Sequence, residues 1–184
     1  EHPWQIAPPI GEQIYTMEDS LLFASMLMAL LKNADRVKVG CQSLLVNISS
    51  CIMTKKGSEA WVQPIYFPFQ LIANNVKGQV LNTVYIGEYY DVEDFKDVPE
   101  VDHVAVLNKD DITLFMVNRT EKNNELKIEV RGLDVGEILN SVVLKHENLK
   151  QDNVEKHDAI KPADCANTII YENSNPRNSC SFWS

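Results

Sequence analysis

The sequence is poor in the residues that build cross-linked or metal-clamped proteins. Its 184 residues include four cysteines (Cys41, Cys51, Cys165, Cys180) and four histidines (His2, His103, His146, His157). The cysteines are too few and too widely spaced for a disulfide scaffold or a CxxC metal site. No two histidines stand at i,i+4, so no zinc-binding pair is formed. The histidines read as solvated surface residues, and neither a metal nor a cofactor is implied. Positive charge is also scarce: 17 Lys and Arg against 26 Asp and Glu give a net charge of −9. That field repels phosphates and anionic lipid, which excludes nucleic acid and a charged membrane surface as partners. Long apolar runs are missing too. Leu21 to Leu31, interrupted by Ser25, is about half of the roughly twenty residues a bilayer requires. It lacks the basic flank and cleavage site of a signal peptide.

What remains is a globular composition, 45% apolar and 23% charged, of a length for about one domain. Three prolines in the first thirteen residues make an irregular entry segment. Thr16 is a good N-cap, with Glu18 and Asp19 in the first turn, where the helix dipole favours negative charge. Met17 to Lys32 then reads as a helix apolar on almost all sides and buried accordingly. After a short turn, Arg36 to Cys41 reads as a strand, continued by Leu44 to Ile48, with Cys41 as a buried thiol. Helix, tight turn and continuous apolar strand is the grammar of a parallel α/β sheet. Ile65 to Asn74 is a second helix, with Pro68 in or just before its first turn.

After Gly78 the pattern changes. Short apolar stretches (Val80–Ile86, His103–Leu107, Thr113–Asn118, Leu126–Val130, Ile138–Lys145, Thr168–Tyr171) alternate with polar turns such as Asn108-Lys109-Asp110-Asp111. This is the signature of an antiparallel β-sandwich. The fold class expected is mainly β: a sandwich over residues 78–184, preceded over 1–77 by a helix-strand-helix piece of an α/β unit. The polar segment between Cys165 and Cys180 leaves a disulfide between them open. Glu88 to Asp94 mixes carboxylates and tyrosines without the order of a calcium loop, and reads as a solvated connection. Trp61 and Trp183 could stack on sugars or pack in a core. The sequons at Asn47 and Asn118 stand in apolar strand ends and read as chance.

One ordered set of strings is distinctive. Tyr15-Thr16-Met17-Glu18-Asp19-Ser20-Leu21, Asn33 to Lys38, Leu45-Val46-Asn47, Ile52-Met53-Thr54, Ala60-Trp61, Tyr66-Phe67-Pro68-Phe69, Asp97-Val98-Pro99 and Val104 to Asn108 resemble the C-terminal portion of family fifty-one α-L-arabinofuranosidases. The likeness is specific to about Arg119 and looser beyond it. It implies a (β/α)8 barrel followed by a β-sandwich, and a barrel needs about 250 residues. On that resemblance residues 1–77 are the barrel's last helix-strand-helix. Arg36 to Cys41 would start its last strand.

The resemblance further implies retaining hydrolysis by two glutamates, with an arabinose-containing oligo- or polysaccharide as substrate. Both glutamates would lie N-terminal to the matched region. Glu1 and Trp4 fall after the family's nucleophile motif, so no catalytic residue is carried over. Family members have a glutamine three residues before the asparagine of Leu-Val-Asn; here that position is Leu44. Either Gln42, two residues earlier and on the same face of an extended strand, takes over that contact or this branch lacks it; Gln42 and Asn47 are the candidate substrate-binding residues. A homo-oligomer and a cytoplasmic location are the remaining expectations. The competing reading is a non-catalytic sandwich for support, oligomerisation or carbohydrate binding.

Overall fold

The computed structural model describes residues 11–57, 59–133, 138–165 and 178–183. Helix α1 spans Met17–Lys32, as the capping residues dictate. The Thr16 side chain accepts from the Asp19 backbone N–H, and Asp19 Oδ2 accepts from Thr16 N at 2.8 Å, a reciprocal capping box. Strands β1 (Ile52–Thr54) and β2 (Ala60–Val62) form a small antiparallel hairpin. Helix α2 (Tyr66–Asn75) follows at once, with Pro68 in its first turn, where no helical N–H is lost.

Beyond Gly78 the chain is β. Strands β3 (Gln79–Val80), β6 (Val101–Leu107), β7 (Ile112–Asn118), β8 (Ile138–Leu144), β9 (Ala163–Asp164) and β10 (Asn178–Trp183) form a sheet in the order β3-β6-β7-β10-β8-β9. Strands β4 (Tyr89–Val92) and β5 (Phe95–Pro99) form a separate antiparallel hairpin. Within the large sheet, β10 runs parallel to both neighbours, β7 and β8, while the other pairings are antiparallel. The β6–β7 hairpin turns at the predicted polar tetrapeptide, with Asn108 N donating to Asp111 O at 2.9 Å.

Strand alternation decides the layers. Val104 and Val106 of β6, with Phe115 and Val117 of β7, face α1 and α2 and join Met17, Ala24, Met28, Phe67 and Ile72 in one buried cluster. Each of the larger side chains, Ala24 excepted, contributes about 1.5–3 kcal/mol relative to exposure. Val101 and Met116 face the other way, under Tyr85 and Leu126. The helices and the sheet thus share a core across Gly78. A Cβ at Gly78 would lie 1.9 Å from Leu107 O, so only glycine permits that approach. Asn108 locks the same junction, donating through Nδ2 to Asn75 O at 3.0 Å and accepting from Lys77 N at 3.0 Å.

Several expectations are corrected. Residues 36–41 form no strand and are largely exposed. Apolar residues alone do not make a strand; it needs a neighbour to receive its N–H and C=O groups, and no described strand lies beside this stretch. Cys41 is correspondingly exposed, not buried. Helix α1 is buried along Met17, Ser20, Ala24 and Met28 only, while Leu22, Met26 and Leu30 are exposed. Leu126 to Val130 alternates but enters no ladder; Leu126 packs against the second cluster and Ile128 is exposed. Of Val80 to Ile86 only Val80 is in a strand, and Ile86 is 93% exposed. Cys165 is a free thiol. His103 is not a solvated surface residue: both ring nitrogens are buried. Thr168 to Tyr171, Glu1 to Trp4 and the Trp183 side chain lie outside the described residues. Among the described residues no helix is long and apolar enough to cross a membrane.

Candidate functional site

Gln42 and Asn47 are brought into one loop, between α1 and β1. Asn47 has φ 67°, the left-handed region that asparagine tolerates better than most residues. Its backbone N–H donates to Ile52 O at 2.9 Å. Its Oδ1 accepts from Thr54 N at 2.7 Å, and its Nδ2 donates to Thr54 Oγ1 at 3.0 Å. Gln42 Nε2 donates to Ser49 O at 2.7 Å. Both amides therefore hold the 42–54 loop against itself and against β1. Leu44, at the position of the family glutamine, is 55% exposed.

Beside this loop three distant segments meet in a cleft of about 390 Å3. Two buried amides position them. Gln63, 1% exposed, accepts from Tyr15 N at 2.9 Å through Oε1, while its Nε2 donates to Gln13 O and Ser50 O at 3.1 and 2.8 Å. That fixes the extended segment entering α1, which supplies Ile14. Asn153, also 1% exposed, donates through Nδ2 to Val62 O at 3.1 Å and Ile160 O at 2.9 Å, and accepts from Ile160 N at 2.8 Å. The 153–160 loop is thereby tied to β2, and it supplies Val154 and His157. The β1–β2 hairpin contributes Met53, Lys55, Glu59 and Trp61.

The His157 ring stacks on the Trp61 indole, with centroids 4.9 Å apart and planes 7° from parallel. Its Nδ1 lies 3.1 Å from Glu59 Oε2. Glu59 is the one carboxylate among the described residues lining the cleft. Retaining glycoside cleavage needs two, about 5–5.5 Å apart. Among the described residues lining it, the cleft does not hold such a pair.

Other chemistry-bearing groups are committed elsewhere. Burial pushes the Cys51 thiol up to about 11, leaving it protonated and unreactive at neutral pH. Buried Glu100 is paired with Lys122 Nζ at 3.0 Å. Buried Asp102 is held by Lys32 and Arg119. His103 packs by Tyr85, its ring nitrogens buried without partners among the described residues; burial and the Lys32 charge hold its pKa below the ordinary value. The sequence left Trp61 open between stacking on sugars and packing in a core, and His157 read as solvated surface. Their stacking depends on the Asn153 tether, which no local spacing reveals.

Comparison with known proteins fits this architecture. The sequence profile described as "Alpha-L-arabinofuranosidase C-terminal domain" matches residues 1–176. An intracellular exo-α-(1→5)-L-arabinofuranosidase from Bacillus subtilis is 38% identical over 173 residues, 93% of this chain and 35% of that protein. Its counterpart from Halalkalibacterium halodurans is 43% identical over 155 residues, covering 82% of this chain and 31% of the relative. The structure of a family 51 α-L-arabinofuranosidase from Bifidobacterium longum superposes with a TM-score of 0.78 at 28% identity, covering 89% of this chain and 33% of that one. The chain spans about a third of each of these proteins.

Proposed function

From the premise that this chain belongs to the α-L-arabinofuranosidase C-terminal domain family, we propose that it is the C-terminal third of a retaining α-L-arabinofuranosidase. The complete protein releases terminal L-arabinofuranosyl groups from arabinose-containing oligo- or polysaccharides. The nucleophile and acid/base glutamates lie N-terminal to this chain, which alone is inactive. Residues 1–77 complete a (β/α)8 barrel, and residues 78–184 form the sandwich that braces it. The location is cytoplasmic, in line with relatives named as intracellular, and the assembly is a homo-oligomer.

The observation that carries this reading is the outer face of α1 and the segment after it. Leu22, Met26 and Leu30 on the helix, with Val39, Leu44 and Leu45 beyond it, are all exposed, Val39 and Leu45 by 79% and 80%. An apolar surface of that extent calls for a partner. Barrel strands flanking residues 36–48 would cover it and supply the ladder those residues lack. Barrel pockets form at the C-terminal ends of strands, and Gln42 and Asn47 then stand at the mouth of the last one. There Asn47 shapes the loop, and the family glutamine's contact is lost at Leu44, with Gln42 Nε2 committed to Ser49 O. The experiment is hydrolysis of 4-nitrophenyl α-L-arabinofuranoside by the complete protein, followed by NMR. The first-formed arabinose should keep the α configuration. Release of the β anomer, or no release, overturns the proposal.

A further inference from the structure

We infer that His157, on the loop between β8 and β9, is a positioning residue: through Glu59 and Trp61 it holds the β1–β2 hairpin, and through the hairpin it sets the loop that carries Asn47. The inference rests on the proposed arabinofuranosidase activity, in which that loop stands at the mouth of the last barrel strand. It names the contact by which the sandwich reaches that mouth.

The hairpin's need for support is the first argument. Strands β1 and β2 have three residues each and form a two-stranded sheet. A ribbon of that size is marginal in water unless it packs against something else. At its base Gln63 N donates to Cys51 O at 2.8 Å, and Asn153 Nδ2 reaches Val62 O at 3.1 Å. Toward the tip the turn is closed by a longer bond, 3.3 Å from Lys55 N to Glu59 O.

Register is the second. Thr54, which engages both amide atoms of Asn47, pairs with Ala60. Ala60 stands between Glu59 and Trp61, and His157 meets both of them. Its Nδ1 lies 3.1 Å from Glu59 Oε2, and its ring lies flat on the indole. The clamp therefore falls at the level of the hairpin where Asn47 is fastened. Trp61 Nε1 is buried and makes no hydrogen bond among the described residues, so the ring stack orients the indole.

The third is that His157 is itself held firmly. The Asn153 side chain bonds both Ile160 N and Ile160 O, pinching the ends of the 153–160 loop together. The Ile160 side chain is buried in the core shared by the helices and the sheet. Inside the loop Ala159 N donates to Lys156 O at 2.9 Å. A fixed path thus runs from the core through His157 to the hairpin and on to Asn47.

The test uses the complete protein, with 4-nitrophenyl α-L-arabinofuranoside as substrate and trypsin as a probe of the hairpin tip, where Lys55 and Lys56 are exposed. His157→Ala removes both contacts. KM should rise about fivefold, the scale of one weakened polar contact. Cleavage at Lys55 and Lys56 should quicken as the tip opens locally. A change that merely destabilises the fold lowers the active fraction, hence the apparent kcat, and leaves KM alone. His157→Phe keeps the stack and should bring KM to within about twofold of the unmodified protein. Glu59→Ala, at a side chain 72% exposed, removes the Nδ1 contact alone and should raise KM about twofold. It keeps the test alive if His157→Ala fails to fold. An unchanged KM in these variants overturns the positioning role, whether or not the tip is cut faster, and leaves the activity standing. If the unmodified protein releases no nitrophenol, the parent reading falls and the positioning role falls with it.

Discussion

Lys32, in the last turn of α1, donates through Nζ to Asp102 Oδ1 of β6 at 2.5 Å, tying the helix to the central hairpin of the sheet. The second oxygen of Asp102 accepts from Arg119 Nη2 at 2.6 Å, so this 7%-exposed carboxylate holds two cations from different elements. Asp102→Ala leaves both without a partner. Lys32 is partly solvated, which discounts the loss from the 3–5 kcal/mol of a fully buried pair. We expect about 2 kcal/mol of destabilisation in urea unfolding, and Lys32→Met should cost less than about 1 kcal/mol. Equal costs for the two would show that Asp102 does not anchor the network.

His103 gives stability a pH dependence. Burial, then the Lys32 charge, lowers its pKa in the folded chain from the ordinary value of 6.5. The unfolded chain therefore binds the proton more readily. This contribution is intact above about pH 6.5 and is lost as pH falls through that value toward the lowered one. Thermal melts between pH 7.5 and 5 should show Tm falling with acidification. In His103→Leu the fall should be shallower, and an equal fall would place the titration elsewhere.

The cysteines report which surfaces are covered. In the isolated chain at pH 8, alkylation followed by mass mapping should label exposed Cys41 and spare Cys51, which is buried and raised to about 11. In the complete protein Cys41 should be protected as well, because barrel strands would lie against it. Rapid labelling of Cys41 there would contradict the proposed packing.

Local chemistry was legible in the sequence, and pairing was not. Thr16, Asp19 and the run to Lys32 defined α1 to the residue, because a helix satisfies its own backbone groups and announces its ends by capping. The Asn108–Asp111 turn between β6 and β7 was visible for the same reason. Arg36 to Cys41 and Leu126 to Val130 looked like strands, but pattern cannot supply a partner. The parallel insertion of β10 between β7 and β8 joins segments far apart in sequence, which no local signal encodes. At the candidate site, Gln42 and Asn47 came from an ordered likeness of strings. The cleft beside them depends on Gln63 and Asn153, whose importance lies wholly in tertiary hydrogen bonds.

We propose that this chain carries part of the sugar-binding architecture and none of the cleaving pair. The most direct measurement incubates the purified chain, and separately the complete protein, with 4-nitrophenyl α-L-arabinofuranoside. The complete protein should release nitrophenol, and the chain should match a heat-killed control. Turnover by the chain that survives repurification would contradict the claim, because it would require two facing carboxylates within these residues.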